Sequence, residues 1–289
     1  MNSQNRPVIR RCVAISLSCL LWSVFLTDVF AADPPAEKKP IAEFECRWAE
    51  GTITIDGKAD EADWQRAAVV DQFLLPWLKE KSRPAKTATK ARLLWDREHL
   101  YFFAEMEDTD LYADVTEQDG LTWENDVFEL FFKPADDKSG YYEFQVNAAG
   151  TKLDMFVPRR GAGGFARFKK DGDFHVDTQV QLRGTLNKWT DKDTGWSVEG
   201  RIPWRDFLRT GGRPNVDERW KFVLCRYDYS VDFEGPELSW CSPFSSLPHP
   251  DFHHFEDYAT LRFVGPPAKS AARPFGIESR PPQIGRAHV

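Results

Sequence analysis

Residues 122–132 read TWENDVFELFF. Phe128, Leu130 and Phe132 alternate with Val127, Glu129 and Phe131, the two-residue period of a β-strand. Glu129 stands in the middle of this otherwise apolar run, and Trp123, Glu124, Asn125 and Asp126 crowd its start. The next period-two stretch is YYEFQVN, residues 141–147. A hairpin with Lys133 opposite Tyr141 sets Glu129 opposite Gln145, Phe131 opposite Glu143 and Val127 opposite Asn147. One face then holds Phe128, Leu130, Phe132, Tyr142, Phe144 and Val146, which suits a core. The other holds Asn125, Glu129, Glu143, Gln145 and Asn147, with opposed side chains about 5 Å apart. That second face is open to two readings: the solvated outside of a sandwich, or the polar floor of a concave binding surface with Trp123 at its rim.

Working outward, strands are expected at 52–56, 88–96, 100–107, 125–133, 141–148, 151–157, 174–182, 195–202, 219–230, 237–241 and 258–264. Gly, Pro, Asn and Asp clusters separate them. Only EADWQRA (61–67) and PWRDFL (203–208) read as short helices. So many short strands with so little helix predict an all-β fold, an antiparallel β-sandwich or jelly roll, over residues 44–264.

The flanks read differently. MNSQNRPVIRR carries Arg6, Arg10 and Arg11, an apolar run follows to about Phe30, and Ala31 and Ala32 close it. This is the layout of a secretory signal over residues 1–31, so the protein is expected to be exported, periplasmic or extracellular. An uncleaved anchor is the alternative, since the run approaches spanning length. No other segment of the chain could span a membrane. Residues 32–43 read as a flexible leader, and 265–289 as a Pro-, Ser- and Arg-rich tail or linker. The final QIGRAHV matches the translation of a sequencing adapter, which leaves room for a catalytic domain beyond the apparent C-terminus.

Among 289 residues, 42% are hydrophobic and 29% charged, enough for a sizeable core in a soluble domain. The formal charge is −7. The signal contributes +2, so the remainder carries −9. An acidic chain without a basic run gives no support for nucleic-acid binding. Cys46, Cys225 and Cys241 remain after export; a Cys225–Cys241 disulfide is favoured if 220–231 and 237–242 form a hairpin, leaving Cys46 over. No Cys/His spacing suggests zinc.

Carboxylates and amides beside tryptophan suit a pyranose. The indole face packs on its C–H face and the polar groups hydrogen-bond its hydroxyls. Trp64, Trp95, Trp196, Trp204 and Trp240 fit core positions, while Trp123 and Trp77 are the exposure candidates.

The stretches ITIDGKADEADWQRA, ATKARLLWDREHLYFFAEMED, WENDVFELFF, GYYEFQVNAAG, GWSVEGRIPW and DFHHFEDYATLRF, in this order over residues 52–263, resemble the family 9 carbohydrate-binding modules of the wider DOMON-like group. The resemblance implies a non-catalytic β-sandwich that binds plant- or algal-type polysaccharide or oligosaccharide, holding a terminal sugar between two tryptophans, with structural calcium nearby. It makes Trp123 the first ring and Glu129 the acidic partner. The second ring falls at Phe252, with His249 and His253 beside it. Where the family offers an arginine, this chain has Gln145; Gln145 and Asn147 complete the polar set.

Three other readings compete. Glu129 and Glu143 could serve as the carboxylate pair of a glycoside hydrolase. Met106 or Met155 with His99, His175 or His253 could hold haem. Calcium could bind Asp56 and Asp60, with Glu61 and Asp63, or the group Glu105, Glu107, Asp108 and Asp110.

Overall fold

The computed structural model describes residues 42–161 and 174–266. The expected signal, most of the expected leader and nearly all of the expected tail lie outside the described residues. Twelve strands run in chain order: β1 (Glu43–Trp48), β2 (Val69–Val70), β3 (Thr89–Trp95), β4 (His99–Met106), β5 (Val127–Lys133), β6 (Tyr141–Asn147), β7 (Lys152–Val157), β8 (Asp177–Arg183), β9 (Gly195–Pro203), β10 (Arg219–Asp228), β11 (Glu237–Trp240) and β12 (Ala259–Phe263). One helix, α1 (Ala62–Arg66), and four short 3-10 turns complete the described elements.

Hydrogen bonding links the strands in the order β7-β6-β5-β10-β12-β1-β3-β4-β9-β8, with β11 on β10 and β2 on β3. The sheet is mixed and strongly curled, as a β-sandwich requires. β1 is the seam: Glu43–Cys46 run parallel to β12, and Arg47 and Trp48 run parallel to β3. The antiparallel expectation therefore needs correction at this seam. Neither β1 nor β2 shows in the sequence pattern. Conversely, residues 52–56 form no strand. Their backbone is held by carboxylates instead: Thr54 N–H donates to Glu61 Oε1, and Asp56 N–H to Glu199 Oε2.

β5 and β6 pair in the expected register, Glu129 opposite Gln145 and Phe131 opposite Glu143. Gly140 precedes β6 at φ +92°, where a Cβ would fall 2.3 Å from the Phe156 ring; only glycine takes that backbone beside that ring without strain. β10 lies on the other edge of β5, placing Cys225 opposite Glu129 and Tyr227 opposite Val127. The face with Phe128, Leu130, Phe132 and Phe144 packs in the core with Phe207 and Trp220. Each such ring withdrawn from water contributes about 1.5–3 kcal/mol.

The second face is not solvated, because every residue of β5 and β6 is buried. A roof covers it. Leu74 bridges Trp240, bringing Trp77 over the sheet, and residues 250–258 cross beside it. Trp77 is consequently 6% exposed, packed on Trp240 and Phe252 rather than facing solvent. Trp64, Trp95, Trp196, Trp204 and Trp240 are buried as expected.

Cys46, Cys225 and Cys241 are free thiols, all buried. The favoured Cys225–Cys241 bond fails by one residue of register. Cys225 pairs with Trp240, so Cys241 falls beside Leu224, to whose carbonyl its N–H donates. Cys241 lies just past the end of β11, and its Sγ accepts the Leu224 N–H at 3.3 Å.

Candidate functional site

The polar start of β5 turns out to be structural. Thr122–Glu124 form a 3-10 turn, tied down by Tyr229, whose hydroxyl donates to the Trp123 carbonyl at 2.9 Å. Asn125 Oδ1 accepts from Val115 N–H and from Asn147 Nδ2. The Asp126 carboxylate accepts the backbone N–H groups of Tyr112 and Tyr229. Asn125 and Asp126 thus clamp the surrounding loops. Trp123, next to them, is held half-buried at the edge of a cavity.

That cavity has a volume of about 340 Å³ and is lined by Trp123, Glu129, Phe131, Glu143, Gln145, Tyr227, Leu238, Pro250, Asp251, Phe252 and His253. Its size lies within the range of small-molecule sites. β5 and β6 supply the floor, β10 and β11 one wall, and residues 250–253 the roof. Gln145 is fixed at both ends: Oε1 accepts from the Thr122 hydroxyl and Nε2 donates to Glu143 Oε1 at 2.6 Å. Glu143 Oε2 is buried without a hydrogen-bond partner among the described residues and lies 3.9 Å from His253 Nδ1. His253 Nδ1 also meets the Tyr141 hydroxyl at 2.9 Å. Burial pushes the Glu129 carboxyl well above the usual carboxylate range, and the neighbouring Glu143 charge pushes it further. Burial likewise raises Glu143, with His253 and the Gln145 hydrogen bond pulling the other way.

Five of the six residues singled out for carbohydrate border this one space. Asn147 is the exception. Its amide donates to Val115 O and Asn125 Oδ1, and its oxygen accepts the N–H groups of Ala149 and Thr151. Every hydrogen-bonding position is spent on the β6–β7 turn and the clamp. Phe252 lines the cavity but is 5% exposed, gripped by Trp77, Phe131, Tyr227 and Trp240. It is a wall more than a free stacking plate, and His249 lies outside the lining. Tyr227 and Asp251 were not foreseen. Tyr227 is visible only once β10 is known to lie beside β5, and Asp251 only once the roof is placed.

The haem candidates are scattered. Met155 is buried opposite Glu143 on β7 and does not line the cavity. Met106 pairs with Trp196 in the other half of the sheet, and His175 bonds to Asp206 Oδ1 at 2.9 Å.

Asp56 and Asp60 do not converge on a metal position. Asp56 Oδ1 accepts Lys58 N–H, and Asp60 is exposed. Glu61 and Asp63 likewise bind backbone N–H groups. Among the described residues, the carboxylates close enough to share an ion are Asp108, Asp126 and Asp228, all buried. Calcium does not fit there. The Arg226 guanidinium already lies 3.0 Å from Asp108 and 3.2 Å from Asp228, and a divalent cation with six to eight oxygens would have to displace it. Arg226 supplies the positive charge itself.

A curled β-sandwich with a small, acid-floored and aromatic-walled cavity has the build of a ligand-binding module. The comparisons identify which kind: residues 55–232 match the family model described as "Carbohydrate family 9 binding domain-like". The match covers more than half of the chain, and the chain belongs to this family. A xylanase, "Endo-1,4-beta-xylanase A" of Thermotoga maritima, is 30% identical over 166 residues, which are 55% of this chain and 13% of the enzyme. The "Exoglucanase XynX" of Acetivibrio thermocellus is 24% identical over 199 residues, 67% of this chain and 15% of that one. The chain thus spans a small fraction of these relatives. In fold, it matches a family 9 module from Caldicellulosiruptor kristjanssonii in complex with cellotriose, with a TM-score of 0.51 and 16% identity, over 79% of this chain and 96% of that one.

Proposed function

We propose that this protein is an exported, non-catalytic module that binds a glycan in the cavity bordered by Trp123. One observation carries the reading: the half-buried Trp123 stands at the edge of a cavity floored by Glu129, Glu143 and Gln145. An indole face takes the C–H side of a pyranose ring, and carboxylate and amide groups take its hydroxyls. Trp123 is the stacking platform, Glu129, Glu143 and Gln145 are the hydrogen-bonding floor, and His253 and Asp251 close the roof. The basic and apolar N-terminus supports export, and the position of such domains inside much longer relatives supports attachment to a catalytic partner.

The test is calorimetric titration of the exported chain with gluco-, xylo- and manno-oligosaccharides, beside Trp123→Ala. Loss of the ring should weaken binding by about 2 kcal/mol, roughly 30-fold. Equal affinity of parent and variant would remove Trp123 from the site. A well-folded parent that binds no member of the panel and no other oligosaccharide would overturn the reading.

A further inference from the structure

We propose that the sugar unit taken by this cavity carries a free amine, as a glucosaminyl residue does, and that its ammonium group sits between Glu129 and Glu143. This rests on the carbohydrate reading above and specifies the chemistry of its ligand.

Three features of the cavity converge. First, the floor presents two carboxyl groups and Asp251 adds a third at the roof, while among the described residues no Lys or Arg lines the space. The nearest cationic candidate is His253, whose Nδ1 is taken up by the Tyr141 hydroxyl at 2.9 Å and stays 3.9 Å from Glu143 Oε2. Second, Glu143 is 2% exposed and its Oε2 has no hydrogen-bond partner among the described residues. A buried acceptor left unpaired is destabilising, and more so when charged, so a ligand donor placed there recovers that loss. Third, the walls are aromatic, with Trp123, Phe131, Tyr227 and Phe252 around the acids. Ring faces attract a cation within about 6 Å of the centroid, and aromatic walls with acids are how ammonium groups are held.

A neutral hydroxyl can donate only one hydrogen bond and brings no positive charge to the two acids. An ammonium group has three donors and a full charge, and it can serve both carboxylates. Acetylation removes the charge and adds bulk, so an N-acetyl sugar loses the advantage. In the free protein, the like-charged buried acids favour holding a proton. The ammonium group takes over that neutralising role, and bound proton is released. The titratable groups that face this pair are Asp251, His253 and Tyr258 from the roof, Tyr141 beside Glu143 on β6, Tyr227 and Cys225 from β10, Tyr229 just past it, and each acid itself.

The experiment is calorimetric titration of the full exported chain from mildly acidic to neutral pH with three β-1,4-linked trimers: of glucosamine, of N-acetylglucosamine and of glucose. The expected result is that the glucosamine trimer binds at least 10-fold tighter than either other trimer. Its preference should shrink as salt rises and vanish in Glu143→Gln. The parent's salt dependence and three-way preference decide the matter without the variant, should Glu143→Gln fold poorly. Glucosamine binding no tighter than glucose, or a preference indifferent to salt, overturns the proposal and leaves the carbohydrate reading standing. Absence of binding by all three, together with no binding by the gluco-, xylo- and manno-oligosaccharides, overturns both.

Discussion

Arg226 and Asp108 are joined at 3.0 Å with each side chain 1% exposed. Asp228 lies on the same guanidinium at 3.2 Å, and Asp126 completes the acidic group. Burial pushes Asp126 up to about 9, and the Asp108 charge adds to it. Removing the arginine from such a group strands buried acids, which typically costs about 3–5 kcal/mol. Arg226→Met is therefore expected to destabilise the fold by that amount in urea denaturation. A chelator should leave the unfolding midpoint of the parent where it is, because no ion is needed at this place. A midpoint that falls with EDTA and returns with calcium would show that the guanidinium shares its post with a metal.

Phe252 separates stability from affinity. Its ring touches Trp77, Phe131, Tyr227 and Trp240 and is almost fully enclosed. Truncating a buried Phe leaves a cavity and costs about 3–5 kcal/mol. Phe252→Ala is expected to lower stability by this much, whereas Trp123→Ala, at the cavity edge, should cost little stability and most of the affinity. Paired denaturation and binding measurements on the two variants decide it. A Phe252→Ala protein as stable as the parent but unable to bind would make Phe252 a true stacking plate.

How much of this was readable in the sequence depends on the range of the interaction. The Glu129–Gln145 pairing is a hairpin relation, fixed by alternation and a short loop, and it was legible. The β10 strand is far from β5 in the chain, so Tyr227 could not be placed in the cavity from local pattern. The same limit hid the roof: Trp77 sits among Pro and charged residues, which suggests exposure, yet the Leu74–Trp240 bridge draws it inside. Asn147 misled for another reason. Its residue type suits a hydrogen-bonding site and a turn equally, and the backbone N–H groups of Ala149 and Thr151 claimed it. The parallel seam at β1 leaves no alternating signature, since EFECRW mixes buried and exposed positions irregularly.

The cysteines give a direct chemical check. Cys225 and Cys241 are free and buried, and burial pushes the Cys241 thiol up to about 12. The thiolate is the reactive form, so these groups should be inert in the native protein. Thiol titration is expected to find no reactive group of Cys46, Cys225 or Cys241 in the native state and all three after denaturation, and a reductant should not shift the midpoint. Loss of two thiols in the denatured count, restored by reductant, would reveal a bond between two of them.

Finally, the acids of the cavity set a pH dependence with a definite sign. Glu129 is held well above its ordinary value of 4.5 in the folded state, by burial first and by Glu143 second. Glu143 is raised in the same direction by burial. The folded state therefore keeps protons that the unfolded chain has already released, and stability falls as pH rises wherever the native state binds more protons. The penalty is absent below about 4.5, the unfolded value, and grows as pH climbs toward the folded values. Asp251, His253, Tyr258, Tyr141, Tyr227, Tyr229 and Cys225 face the pair and remain in place in the comparison. Glu129→Gln keeps the shape and removes both the charge and its repulsion of Glu143. In urea denaturation across pH 5 to 9, the variant is expected to lose less stability with rising pH than the parent, and to be the more stable of the two at the alkaline end. A parent whose stability rises over that range, or a variant with the same slope, would mean that Glu129 is ionised and compensated in the native protein.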